Sequence, residues 1–509
     1  MSGLVSATRL GRIPRQRRES AGAGAAARDP YLYAAVLVVL LSVAFAIQHP
    51  WSGDLGMHIA TIERLRDNLV HPGNPLVLAD VPSPYYSPYT LALALVGKAT
   101  GLSTLVVFAA AGPVVMALLL YGVRAFVRTL TARPAAPLLA LVFVLLLWGK
   151  PRVWSGFFGL WSWPQTMAYP STLALALMLI FWAALNRTLD RPPSWPRYLG
   201  LGLLLAVIAL VHPFTFATAA LGAAALVAVR AGALAGSTWL WLGVATAEWL
   251  ALVLIWPYYP FFKLFGATGL DEIHTALYRQ PWLYFGLVIV ALPALWLRFR
   301  RTPRDPLVLL FVVALVLVVA GWVSGRYALG RMWPAVLLCG QLALAVEIAD
   351  PPKGLARRVW VGATALACLA GVAVQSPHLV YAVPRSWVPH PLARFYGSWP
   401  DYSWITPYVR KGDVVVTDDY YAVRTVPGLG ARTIPPAWPD PFLADQRLRW
   451  HELAVIHAGS TDPATRAALL AKYHAKWVIE IPGKWSISAG QTPVATGPQG
   501  QRLYRVPGS

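Results

Sequence analysis

Apolar residues run along this chain in long blocks separated by short polar stretches. The blocks cover residues 31–48, 104–122, 135–149, 171–185, 198–213, 215–229, 237–257, 281–297, 306–323, 335–349 and 359–376. Segments apolar on every side predict helices buried in a bilayer or a deep core rather than helices at a water interface. Eleven of them predict a polytopic α-helical membrane protein with about eleven transmembrane helices. Several are shorter than the roughly 20 residues of a full crossing, so they must draw on flanking aromatic or proline-bounded turns.

Two regions follow another pattern. In the first, residues 49–103, Leu55, Ile59, Ile62, Leu65 and Leu69 recur at helical steps on one face, while His58, Glu63, Arg64, Asp67 and Asn68 fall elsewhere. This predicts an amphipathic helix over 54–70 lying along the outer membrane surface, with Asp54 at its N-cap. The second region is 377–509. There "DVVVTDD" (413–419) alternates like a strand, and "DPATRAALLAKYHAKWVIEI" (462–481) predicts a helix capped by Thr461 or Asp462, then a strand. "QRLYRV" (501–506) predicts a last strand. The expected organisation is a basic cytoplasmic tail (1–30), a membrane domain (31–376) with a large first external loop (49–103), and an extracytoplasmic α/β domain (377–509). No internal repeat of roughly 20–50 residues marks the chain as a solenoid or tandem array.

Composition agrees with the pattern. The chain is 57% hydrophobic and 13% charged, against about 25% charged for soluble domains. Its net charge of +21 would suit nucleic acid, but position excludes that partner. Twenty basic residues fall in the N-terminal tail and the alternate loops after it, and nine in the opposite set of loops between spans, the region 377–509 not counted. That asymmetry places the N-terminus in the cytoplasm and the C-terminus outside, with basic loops against anionic lipid. The apolar run after the tail lacks a small-residue cleavage site and reads as an uncleaved first helix. Both cysteines, Cys339 and Cys368, lie in predicted spans, so the outer domain holds together without disulfides. Arginine greatly outnumbers lysine, as in GC-rich bacterial genomes.

Asp54 has a structural reading, as a helix cap worth about 1 kcal/mol. With His58 one turn on it supplies half a metal site, two ligands being too few for one. The wider stretch "GDLGMHIATIERLRDN…HPGNP…AD…SPYYSPY" resembles the first external loop of the GT-C glycosyltransferases, membrane enzymes that take sugars from polyprenyl phosphates. It is most similar to prokaryotic oligosaccharyltransferases, through Asp54, His58, Ile62-Glu63 and Tyr85-Tyr86-Ser87-Pro88-Tyr89. "GRYALGRMWPAVLL" looks like a late-span motif of protein-mannosyltransferase-like members, here with Arg326, Tyr327 and Pro334. There are departures. The loop 150–170 lacks the acids of an oligosaccharyltransferase, which puts its divalent-metal site in doubt. The sequon-binding "WWDYG" is only echoed, by "SWPDYSWI", so protein N-glycosylation is not inferred.

The resemblance implies transfer of a sugar from a polyprenyl-phosphate-linked donor to an acceptor hydroxyl on an envelope glycan, lipid or protein. Such an inverting displacement needs one base and cationic donors for the phosphate. Asp54 is the expected general base, with His58 orienting it or sharing a divalent metal ion, the one cofactor the resemblance raises. Arg326 and Arg331, in a short outer loop, are the first choices for phosphate. Arg152, Lys263, His274 and Arg279 are second, with Tyr85 and Tyr86 as further substrate contacts. The aromatics of "VWSGFFGLWSWP" (153–164) read as an interfacial belt, Asp271-Glu272 as the cap of a short helix, and Asp418-Asp419 as turn chemistry. Glu248 is the one deep intramembrane acid. Two rival classes are a transporter or flippase of lipid-linked precursors, which favours repeated halves, and a non-catalytic scaffold of the GT-C type.

The charge asymmetry makes a direct prediction. A cysteine at Ser2 should resist an impermeant thiol reagent in intact cells and one at Ser460 should react; the reverse labelling would put Asp54 in the cytoplasm.

Overall fold

The computed structural model describes residues 29–48, 50–266, 269–350, 353–397, 399–483, 487–488 and 490–508. The expected basic tail, except for its last two residues, lies outside the described residues. The apolar blocks form helices α1 (Pro30–Gln48), α4 (Thr104–Leu130), α5 (Ala136–Leu146), α6 (Pro170–Leu189), α7 (Trp195–Val211), α8 (Pro213–Ala228), α9 (Gly236–Leu254), α10 (Pro281–Arg301), α11 (Pro306–Ser324), α12 (Tyr327–Ile348) and α13 (Leu355–Ala382). Helices α2 (Leu55–Asp67) and α3 (Pro88–Thr100) lie in the first loop. Among the described residues eight helices are long and apolar enough to cross a membrane, while α5, α7 and α8 are shorter.

Two boundaries differ from expectation for local reasons. Helix α10 is irregular, with a 3-10 stretch over Gly286–Ala291 before Pro293 enters at the start of a regular segment. Helix α12 opens one element early, as a 3-10 turn over Tyr327–Met332 that sequence patterning assigns to an outer loop. Asp271 does not cap its own short helix, Leu270–His274, whose N-cap is Gly269. Its carboxylate accepts from the Ala328 N–H at 2.8 Å and so ties that helix to the turn. Nor do the aromatics of 153–164 form a surface belt. Phe157, Phe158 and Trp163 are buried, and the Trp163 ring meets Phe45 edge-on at 5.1 Å.

After α13 comes a five-stranded sheet, formed by β1 (Val414–Val416), β2 (Arg432–Thr433), β3 (Ala475–Glu480), β4 (Ala495–Thr496) and β5 (Arg502–Arg505). Its order is β2-β1-β3-β5-β4; β2 and β3 run parallel to β1, and β5 runs antiparallel to both β3 and β4. Helices α14 (Gln446–His457) and α15 (Pro463–Lys472) accompany it, and Asp462 caps α15 by accepting from the Thr465 N–H at 2.9 Å. Asp419 does the expected turn work, accepting from the N–H groups of Tyr421 and Ala422.

The largest departure is α2. It does not lie on a membrane surface with one face in water. Leu55, Ile59, Ile62 and Leu65 pack into the main helical core, while Met57 and Ala60 pack with Val423, Ala437 and Leu443 of the C-terminal part. The second face is polar enough to mislead because it docks on backbone. Arg64 donates to the carbonyls of Gly430 and Ala431, both at 3.2 Å. The first loop continues the contact: the Thr433 N–H donates to Leu76 O at 2.9 Å, and Val77 bridges Thr433 as a parallel extension of β2. Arg432 donates to the carbonyls of Asn74 and Val77 at 2.6 and 2.7 Å, and Asn74 donates to Asp440 at 2.8 Å.

Gly56 is what lets the two parts meet so closely. A Cβ there would fall 1.9 Å from the Arg424 carbonyl oxygen, a backbone atom that cannot swing aside. Gly56→Ala should therefore lower stability by about 1–3 kcal/mol, the usual cost of overpacking. A thermal transition in detergent no lower than wild type would refute the docking.

Candidate active site

A cavity of about 620 Å³ opens between the membrane helices and the C-terminal part. It draws its wall from the start of α2, the α7–α8 junction, the Leu270–His274 segment, the turn opening α12, and residues 420, 438, 439 and 441. Asp54, His58, Tyr85, His274 and Arg331 all line it. Arg326, Arg152, Tyr86, Lys263 and Arg279 do not. Arg326, Lys263 and Arg279 are exposed instead. Arg152 lies over the Tyr284 ring at 3.9 Å and donates to Ala276 O. The Tyr86 hydroxyl donates to Gly73 O at 2.7 Å, folding the first loop. The five stand off the cavity for a shared reason. A basic or aromatic residue in a loop can face several ways, and loop position alone does not choose between them.

Asp54 is positioned by contacts remote in sequence. Its N–H donates to the Tyr169 hydroxyl at 3.1 Å, and that hydroxyl donates in turn to Ser52 O at 2.6 Å. Its side chain makes no capping bond to α2. The Oδ1 atom accepts instead from the Trp438 indole N–H at 2.7 Å, across 384 residues of sequence. Burial raises its pKa above the usual carboxylate range, while the Trp438 bond and the Arg424 and Arg331 charges pull it back. A raised pKa suits a general base, which is stronger for it.

His58 lines the same cavity but does not orient the carboxylate. Its ring stacks on Phe108 at 5.7 Å and meets Tyr169 edge-on at 4.8 Å. Its Nδ1 is buried without a partner, and burial pushes the imidazole down to about 3, so it stays neutral. Among the described residues no three His, Cys, Asp or Glu side chains stand together as ligands. Asp54 and His58 answer to different neighbours.

Across the cavity, Arg331 is buried, donating to Ser155 O at 2.7 Å and lying over the Phe214 ring at 4.4 Å. Its Nη2 stands 3.3 Å from His212 Nε2, with the Ser155 hydroxyl 3.4 Å from the same nitrogen. Burial and the Arg331 charge hold His212 neutral. His274 takes another part than phosphate binding. Its Nδ1 lies 2.6 Å from Leu270 O, a pure acceptor, so the proton sits on Nδ1 and Nε2 carries a lone pair. Burial pushes it down to about 4, and a neutral ring with that tautomer accepts hydrogen bonds from hydroxyls.

Sequence reasoning overlooked His212, Tyr169, Arg424, Tyr420 and Trp438. His212 had a signal: it is a polar residue near the end of an apolar block. The others had none. Tyr169 meets Asp54 from far away in sequence, and Arg424, Tyr420 and Trp438 come to the site only through the docking of the C-terminal part on the first loop. Arg424 packs between the rings of Tyr420 and Trp438, 3.8 and 4.4 Å from their centres, and donates to Tyr420 O and Ala437 O. The "SWPDYSWI" segment is turned into the fold. Tyr402 donates to Asp419, Asp401 accepts from Ser403, and Trp399 donates to Thr425.

No protein-family model matches the chain, and no curated protein matches it in sequence. Solved structures do match in fold. One is the crystal structure of the Archaeoglobus fulgidus oligosaccharyltransferase tethered to an acceptor peptide containing the NVT sequon. Its TM-score is 0.51 at 13% identity, over 88% of this chain and 69% of that one. Another is the arabinofuranosyltransferase AftD from Mycobacteria, at TM-score 0.55 and 16% identity, over 88% of this chain but only 35% of AftD. The chain shares the overall fold of these two proteins: a helical membrane protein carrying a small C-terminal sheet.

The geometry separates two arginines that the sequence ranked together. Binding of farnesyl phosphate to the protein in nanodiscs should weaken about tenfold to a hundredfold in Arg331→Ala, given roughly 1.5–3 kcal/mol for a charge-assisted hydrogen bond. Arg326→Ala should bind as wild type. Equal loss in both would mean that general charge, not this corner, attracts the phosphate.

Proposed function

We propose that the protein is a membrane glycosyltransferase that moves a sugar from a polyprenyl-phosphate-linked donor to an acceptor hydroxyl at the outer face of the membrane. The observation that carries this reading is the placing of Asp54 and Arg331 on one cavity, each held by a neutral partner rather than by the other. The apolar residues Leu221, Leu264, Phe265 and Leu317 complete the wall and suit a lipid chain.

Asp54 takes the proton as the acceptor O–H bond breaks. The freed oxygen forms a bond to the anomeric carbon, and the bond from that carbon to the phosphate oxygen breaks on the opposite side. Arg331 meets the charge that grows on the leaving phosphate. A single displacement inverts the anomeric centre and asks for one carboxylate. Among the described residues Asp54 is the only carboxylate on the cavity wall.

Asp54→Asn keeps the shape and the oxygen that accepts from Trp438 but removes the base. Turnover of a polyprenyl-phosphate sugar should fall about 10²–10⁴-fold at normal expression; undiminished turnover would end the proposal.

A second test uses pH. The base works deprotonated, so rate is lost as pH falls through the Asp54 pKa, and the acidic limb should lie above the ordinary carboxylate value of 3.8. Trp438→Phe removes a bond that favours the carboxylate and should move that limb higher. A limb unmoved by Trp438→Phe would detach Trp438 from the base.

A further inference from the structure

The wall beside Asp54 that comes from the C-terminal part consists of Tyr420, Trp438, Pro439 and Pro441. Its side chains are rings. None carries a charge, and two are prolines, which lack a backbone N–H for pairing. Such a surface is poorly suited to a peptide, whose every residue brings an N–H and a C=O that must be met when buried. Strand addition is closed off as well at β2, the strand nearest Trp438 in sequence. The Thr433 N–H there is already taken by Leu76 O, and Val77 lies along the strand.

A sugar ring makes the opposite demand. Its axial C–H groups form an apolar face that packs on an aromatic ring, and its hydroxyls project from the rim. The rings here are set before any ligand arrives. Arg424 lies against both and is fixed by two backbone carbonyls, so Tyr420 and Trp438 keep a constant separation. The indole N–H of Trp438 points at the Asp54 carboxylate. A ring stacked on this indole therefore has its rim, and so a hydroxyl, beside the base.

We infer that the acceptor is a carbohydrate chain, whose terminal sugar is held on Trp438 and Tyr420 so that its hydroxyl meets Asp54. The inference rests on the transferase reading above and assigns the acceptor class within it. The C-terminal part then selects the acceptor, while the membrane helices carry the donor phosphate site.

The test uses the full chain in nanodiscs and saturation-transfer NMR, with neutral arabinose and mannose oligosaccharides in one arm and an Asn-Val-Thr peptide in another. At least one oligosaccharide should bind saturably through its ring C–H protons. Tyr420→Ala and Trp438→Ala should weaken it about tenfold or more, and Trp438→Phe, which keeps a ring, should stay within about threefold of wild type. Peptide binding without sugar binding overturns the inference, as does sugar binding that ignores both alanine variants. Farnesyl phosphate forms a third arm and separates the two claims. If it binds in an Arg331-dependent way while no sugar does, only the acceptor class falls. If neither binds, the transferase reading falls with it.

Discussion

A carboxylate buried in a mostly apolar cavity is costly unless something answers it, and here the answer comes from the far end of the chain. The bond from the Trp438 indole to Asp54 joins the first loop to the C-terminal part at the point where the chemistry would occur. Much of the surrounding structure makes that bond possible. Tyr169 sets the Asp54 backbone, Arg424 sets the Trp438 ring, and Gly56 lets α2 press against the Arg424 backbone. Removing any one of these loosens the same hydrogen bond from a different side.

The docking of α2 is therefore best understood as a registration device. Arg64 and Arg432 are each committed to two backbone carbonyls across the junction, Arg64 buried and Arg432 partly buried. Buried guanidinium groups bonded to fixed carbonyls tolerate little sliding, because a shift leaves donors unmet. The junction resists the relative motion that a freely hinged outer domain would show. A site shared between two parts of a chain keeps its geometry only if they are locked in this way.

Much of the fold was legible because it depends on neighbours in sequence. Apolar blocks became membrane-type helices, alternation at 413–419 became β1, and Asp462 capped the helix that "DPATRAALL" predicted. The site was legible only in part, and the division is physical. Asp54, His58, Tyr85, His274 and Arg331 stand out as polar groups where polar groups are rare, and the cavity collects them. Their roles were less legible, because role depends on partners. Asp54 looks like a cap until Trp438 is placed beside it, and His58 looks like its orienter until Phe108 and Tyr169 enclose the ring. The helix over 54–70 was misjudged for the same reason. Its polar face was read as meeting water, whereas a backbone surface some 370 residues later meets it.

The separation of Asp54 from Arg331 has a consequence for the order of events. A direct ion pair between them would pull the carboxylate pKa down, weaken the base, and leave no guanidinium for a phosphate. Instead the two charges act on each other through the cavity, where Arg331 draws the Asp54 pKa down from the level set by burial. In the reaction proposed above, a phosphate seated at Arg331 would offset that positive charge, and Asp54 would lose part of the pull and become the stronger base when a donor is present. An acceptor hydroxyl reaching the cavity alone would then meet the weaker base, and one arriving beside a bound donor the stronger. A bonded pair in the same cavity would lose that coupling.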